Sequence, residues 1–77
     1  MTRKGKIARL SRNIRDEVNR RMDNGEVGTQ LLEWLNGLPE VKSVLDAHFE
    51  GRPITDQNLS EWKAGGFRQW RMERGAH

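Results

Sequence analysis

The stretch Ile54-Thr55-Asp56-Gln57-Asn58-Leu59-Ser60-Glu61-Trp62-Lys63-Ala64-Gly65-Gly66 decides how the chain is read. Thr55 suits a helix N-cap, because its side-chain oxygen can accept from the backbone N–H of Gln57 or Asn58, and Asp56 follows where the helix dipole favours an anion. Ile54 before the cap and Leu59 inside the helix have the spacing of a hydrophobic staple. Gly65 and Gly66 predict a left-handed stop after about three turns. Within the helix only Leu59 and Trp62 are apolar, three residues apart on one face, while Gln57, Ser60, Glu61 and Ala64 point the other way. A short helix with so narrow an apolar seam presents most of its surface to something outside its own core.

Working back towards the N-terminus, Pro39 at a first helical position opens a helix with Val41, Val44, Leu45, His48 and Phe49 on one face, ending at Gly51. Gly51 to Ile54 is then a short turn. Thr29 is a cap for a preceding helix through Asn36, whose Leu31, Leu32, Trp34 and Leu35 make it the most hydrophobic element and the central one. Ser11 caps a first helix from Arg12 to about Asn24, with Gly25 as its stop and Leu10, Ile14, Val18 and Met22 as its apolar stripe. Arg15, Arg20 and Arg21 lie off that stripe and read as a solvated face. Beyond Gly66, Phe67, Trp70 and Met72 form a last helical turn or two among Arg68, Arg71 and Arg74. No segment alternates with period two. The expected fold is all-α, a small bundle of roughly four or five short helices containing a helix-turn-helix. Residues 1–8 are expected as a flexible basic arm, 9–74 as a single helical domain, and 75–77 as a frayed tail.

With 77 residues the chain makes one domain with one core, and without cysteine it has neither a disulfide framework nor a thiolate metal site. It begins at Met1 and lacks an apolar run of signal or membrane length, so the expectation is a cytoplasmic protein with no membrane partner. The net charge of +3 conceals an asymmetry. Up to Met22, eight Lys or Arg face Asp16 and Glu17; from Asp23 to Glu50, Lys42 faces six carboxylates; from Gly51 on, five basic residues face three acidic ones. Basic ends around an acidic middle suggest a polyanionic partner. Catalysis is not expected: there is no Cys nucleophile, His48 and His77 are far apart, and no glycine-rich loop follows a strand. Neither a metal, a cofactor nor a small-molecule substrate is expected.

Helix, glycine-containing turn and capped short helix form the outline of a helix-turn-helix, whose second helix enters a DNA major groove. The run from Ile54 to Gly65 resembles the recognition helices of small helix-turn-helix DNA-binding proteins of bacteria and phages. The basic amphipathic opening from Ile7 to Arg21 is similar to the start of short prophage and mobile-element proteins. There are two departures: the turn is about two residues longer than in the repressor-type motif, and Asp46 stands where a small residue usually permits close helix approach. The resemblance implies base contacts from Gln57, Ser60 and Glu61, with Asn58 at the margin. It implies phosphate contacts from Arg52, Thr55, Lys63, Arg68 and Arg71. The charge of the arm adds Arg3, Lys4 and Lys6. The partner is then double-stranded DNA, bound by a homodimer because one such helix reads too few base pairs, in regulation of transcription or DNA processing for a phage or mobile element. A different class of reading is a small helical protein-interaction module or inhibitor, acting through the acidic middle and exposed tryptophans. A third is a single-strand binder that stacks bases on Trp70 or Phe67. The burial of Trp34 and Trp70 discriminates among them.

Overall fold

Five α-helices emerge in the computed structural model, which describes residues 5–75: α1 (Arg12–Asp23), α2 (Gly28–Gly37), α3 (Pro39–His48), α4 (Asp56–Trp62) and α5 (Arg68–Gly75). No strand is present among the described residues. The fold is the expected all-α bundle. The caps explain much of it. Ser11 accepts from the backbone N–H of Ile14 at 3.4 Å and starts α1, whose Ile14 and Val18 are buried with Leu10. Pro39 opens α3, which buries Val41 and Leu45.

Three boundaries differ from expectation. Thr29 does not cap α2: the helix begins at Gly28 after an extended Val27, because the N–H of Leu31 already bonds the carbonyl of Val27 at 3.0 Å, which sets Leu31 and Leu35 inward. The arm drawn over 1–8 is too long. Residues Ile7–Arg9 form a 3-10 turn and Ile7 is only 2% exposed, packed into the same core as Leu10 and Leu59. Residues 1–4, and Ala76 and His77 of the tail, lie outside the described residues, whereas Gly75 belongs to α5. His48, expected on the apolar face of α3, is exposed, since the helix ends there and the chain turns away through Glu50 and Gly51, both with positive φ.

The largest difference concerns Gly65 and Gly66. Neither adopts the left-handed conformation, and the helix does not stop. From Lys63 to Phe67 it widens into a π-helical turn and runs on into α5, so that α4 and α5 form one rod. Gly66 has a packing reason. A Cβ built there would lie 2.3 Å from the indole carbons of Trp62, so only glycine lets that ring lie against the backbone one turn on. The widened turn places Phe67 in the interior, 6% exposed, and the indole N–H of Trp62 donates to Oδ1 of Asn19, a buried polar residue of α1, at 2.7 Å. A partly buried indole N–H turned inward needs such an acceptor.

The central helix is α2, which packs against α1, α3 and α4 and supplies the fully buried Leu31 and Leu35. The α4 segment packs on the 3-10 turn as well as on α2, and the π-helical turn packs on α1. Removing Leu31, Leu35, Val18 and Val41 from water contributes about 1.5 to 3 kcal/mol each.

Candidate nucleic-acid interface

The turn between α3 and α4 is fixed from α2. The side-chain amide of Asn36 pairs with the backbone of Ile54, its Nδ2 donating to the carbonyl at 3.0 Å and its Oδ1 accepting from the N–H at 2.9 Å. Ile54 itself is buried beside Leu59. Thr55 then caps α4 as expected: its hydroxyl oxygen accepts from the N–H of Asn58, while Oδ1 of Asn58 accepts from the N–H of Thr55 at 2.9 Å and from its hydroxyl at 3.1 Å. This reciprocal box immobilises the first turn of the helix. It also occupies the two residues that make it. With its oxygen held in the cap, Asn58 lacks the free amide edge that bidentate pairing with adenine requires, and Thr55 has no spare donor for a phosphate.

Gln57, Ser60 and Glu61 are exposed, opposite the buried Leu59. Nε2 of Gln57 lies 3.5 Å from Oε2 of Glu61, so the two form one polar row along the helix. The basic residues separate into groups. Lys63 and Arg68 are exposed and form no ion pair among the described residues. Arg52 lies 3.4 Å from Glu50, both side chains being largely in solvent. Arg71 and Arg74 both approach Asp23 of α1, at 3.4 and 3.9 Å, tying α5 to the first helix. Lys6 donates to the carbonyl of Pro53 at 2.9 Å and sits 5.9 Å from the centre of the Phe49 ring, so it anchors the N-terminal segment to the turn ahead of α4. Arg3 and Lys4 lie outside the described residues.

No family model, curated protein or solved structure matches this chain. On α1 the arginines are not one solvated face. Arg12 reaches Asp16; Arg20 and Arg21 both bond Glu17; Arg21 also bonds Glu26 and lies 4.1 Å over the ring of Trp34. The hydrogen bond from Arg20, followed by its charge and the bond from Arg21, outweighs burial and holds the Glu17 carboxyl below its usual range. Arg15 is the exception, with no ion pair among the described residues. It faces a groove of about 640 Å³ between the 3-10 turn and the α4–α5 rod, where Lys6, Asn58, Glu61, Trp62 and Gln69 are its neighbours.

Sequence reasoning missed Asn19, Asn36 and Arg15. The two asparagines act through partners far along the chain and leave no local trace. For Arg15 a trace exists: positions 11, 12, 18 and 19, its neighbours on the helix surface, contain no carboxylate, unlike the surroundings of Arg12, Arg20 and Arg21. The tryptophans are each partly covered. Trp70 stacks on Phe67 with 5.9 Å between ring centres and carries Arg74 at 4.7 Å, and both Trp34 and Trp70 are half-buried. Among the described residues no set of His, Asp and Glu side chains could hold a metal, and no helix is long and apolar enough to cross a membrane.

Proposed function

We propose that this chain is a non-enzymatic DNA-binding protein of helix-turn-helix type, in which α4 offers Gln57, Ser60 and Glu61 to the major groove of duplex DNA. The observation that carries the reading is the mounting of that helix: an exposed polar row whose opposite side is fixed by Leu59, by the Thr55–Asn58 box and by the Asn36 clamp on Ile54. Base readout needs side chains held in register, and these three devices leave α4 little freedom to rotate or slide. Lys63 and Arg68, free of ion pairs among the described residues, supply charge for phosphates along the same rod, with Arg52 at its start. The half-buried state of Trp34 and Trp70, each with an arginine over its ring, weakens the two readings that need tryptophan anchors. The protein would work as a dimer, in regulation or DNA processing for a phage or mobile element.

The test is selection from a pool of random duplexes with the intact chain and a Gln57→Ala, Ser60→Ala double variant. Both side chains are exposed, so the variant keeps its fold. The intact chain enriches a defined sequence and the variant loses it, each good base contact contributing roughly 1 to 3 kcal/mol of discrimination. A pool that emerges unenriched refutes base readout by α4.

A further inference from the structure

Arg15 is the anomaly in an otherwise paired helix. Its Nε is buried without a hydrogen-bond partner, and no carboxylate among the described residues pairs with its guanidinium. Leaving a charged donor buried and unbonded is unfavourable, and such a group in a folded protein requires an explanation. That Nε is closed to solvent, so a ligand beside Arg15 would meet the terminal nitrogens of the guanidinium, which form no ion pair among the described residues. Arg15, Trp62, Gly66 and Gln69 border the groove beside α4 and also a smaller hollow, of about 340 Å³, lined from α1 and α5. Arg15 is thus the arginine, among the described residues, that borders both spaces. Single π-helical turns inside α-helices occur frequently at functional sites. In the groove beside α4, Lys6, Asn58 and Glu61 line the same space, the Lys6 ammonium being held by the carbonyl of Pro53. Lys6, Arg15 and Glu61 are thus the charged residues of the groove beside the helix assigned to base readout, whereas Arg12, Arg15, Asp16 and Glu73 border the smaller hollow.

We propose that the groove beside α4 binds a phosphate group, with Arg15 as its receptor. A guanidinium is suited to the task, because its planar fork can donate two parallel hydrogen bonds to one phosphate while remaining charged at every relevant pH. The proposal rests on the DNA reading for the source of the phosphate, a backbone position adjoining the bases that α4 contacts. It does not rest on that reading for the chemistry of the receptor.

Two measurements separate the claims. In the first, Arg15→Gln and Arg15→Lys are titrated with the selected duplex and with a scrambled one over a range of salt, after circular dichroism has established that both melt as the intact chain does. Arg15→Gln is expected to weaken both duplexes alike, to reduce the slope of log affinity against log salt by about 0.9, and to leave the preferred sequence unchanged. Arg15→Lys, keeping the charge and losing the fork, is expected to retain the slope with lower affinity. Unchanged affinity and slope in Arg15→Gln, when the intact chain binds DNA, would overturn the assignment. In the second, inorganic phosphate is added to the intact chain while the Nε–H resonance of Arg15 is followed by NMR, with chloride at equal ionic strength as control. A saturable shift with phosphate alone supports the receptor even if no duplex is selected. No shift, together with no effect of Arg15→Gln on DNA, removes it.

Discussion

At the scale of single residues, Asn19 is the side chain whose removal the structure makes most informative. It is 3% exposed, and its Oδ1 accepts the indole N–H of Trp62. Asn19→Ala leaves that donor without a partner and opens a small void, so a loss of about 1 to 3 kcal/mol in urea unfolding is expected, with a change in tryptophan emission of the native state. Glu17 yields a prediction of another kind. Its carboxyl is held below its usual range by Arg20 and Arg21, so the folded state binds its proton less readily than the unfolded chain does. A depressed folded value means that its contribution is complete above the unfolded value near 4.5 and disappears as pH falls through the lowered folded value. Glu17→Gln should therefore be less stable than the intact chain at neutral pH, and the difference should vanish in strong acid. Unfolding curves of both chains over that range are the check, and a constant difference would show that the ion pairs are not its origin.

At the scale of elements, the two glycines after α4 make opposite predictions although they are neighbours in sequence. Gly66→Ala drives a methyl group into Trp62, and the ring must leave both its place on the backbone and its bond to Asn19. A loss of about 1 to 3 kcal/mol follows from such overpacking. Gly65 is exposed, has no positive φ and meets nothing within 4 Å, so Gly65→Ala should stabilise the rod by up to about 1 kcal/mol. Had the pair formed a left-handed stop, alanine would be costly there, and thermal melting of the two variants distinguishes the arrangements. The same pair marks how far the sequence could be read. Ser11, Pro39 and Thr55 announced their helices because a cap involves residues within one turn, and the spacing of Ile14 with Val18 and of Val41 with Leu45 announced the buried faces. Gly66 could not be read that way: its role depends on where Trp62 lies, which depends in turn on Asn19, 43 residues away from that tryptophan. Of the candidate interface, the exposed row Gln57, Ser60 and Glu61 was legible from its helical spacing. The inert role of Asn58 and the isolation of Arg15 emerge only when the partners of each side chain are known.

At the scale of the whole molecule, the distribution of charge becomes a question about faces. The exposed carboxylates Glu33, Glu40, Asp46 and Glu50 belong to α2, α3 and the turn that follows, with Lys42 and Arg52 among them; the α4–α5 rod carries exposed Lys63, Arg68, Arg71 and Arg74 beside Asp56, Glu61 and Glu73, and Arg15 borders the groove next to it. If the rod and the groove meet the duplex, charge altered there should matter more than the same charge altered on α3. Two variants with the same net change separate these effects. Asp23→Asn releases Arg71 and Arg74 from their shared partner, and Glu40→Gln removes an exposed anion from α3; each raises the net charge of +3 by one. The Asp23 pairs are largely exposed, so the cost in stability stays within about 1 kcal/mol. Fluorescence anisotropy with a scrambled duplex, measured over a range of salt, is expected to show tighter binding and a steeper slope for Asp23→Asn, because two guanidinium groups become available to phosphates. Glu40→Gln is expected to leave the slope unchanged, since at moderate salt an exposed charge acts over about 10 Å. Equal effects from both variants would mean that DNA responds to net charge alone, and the rod would then have no privileged face.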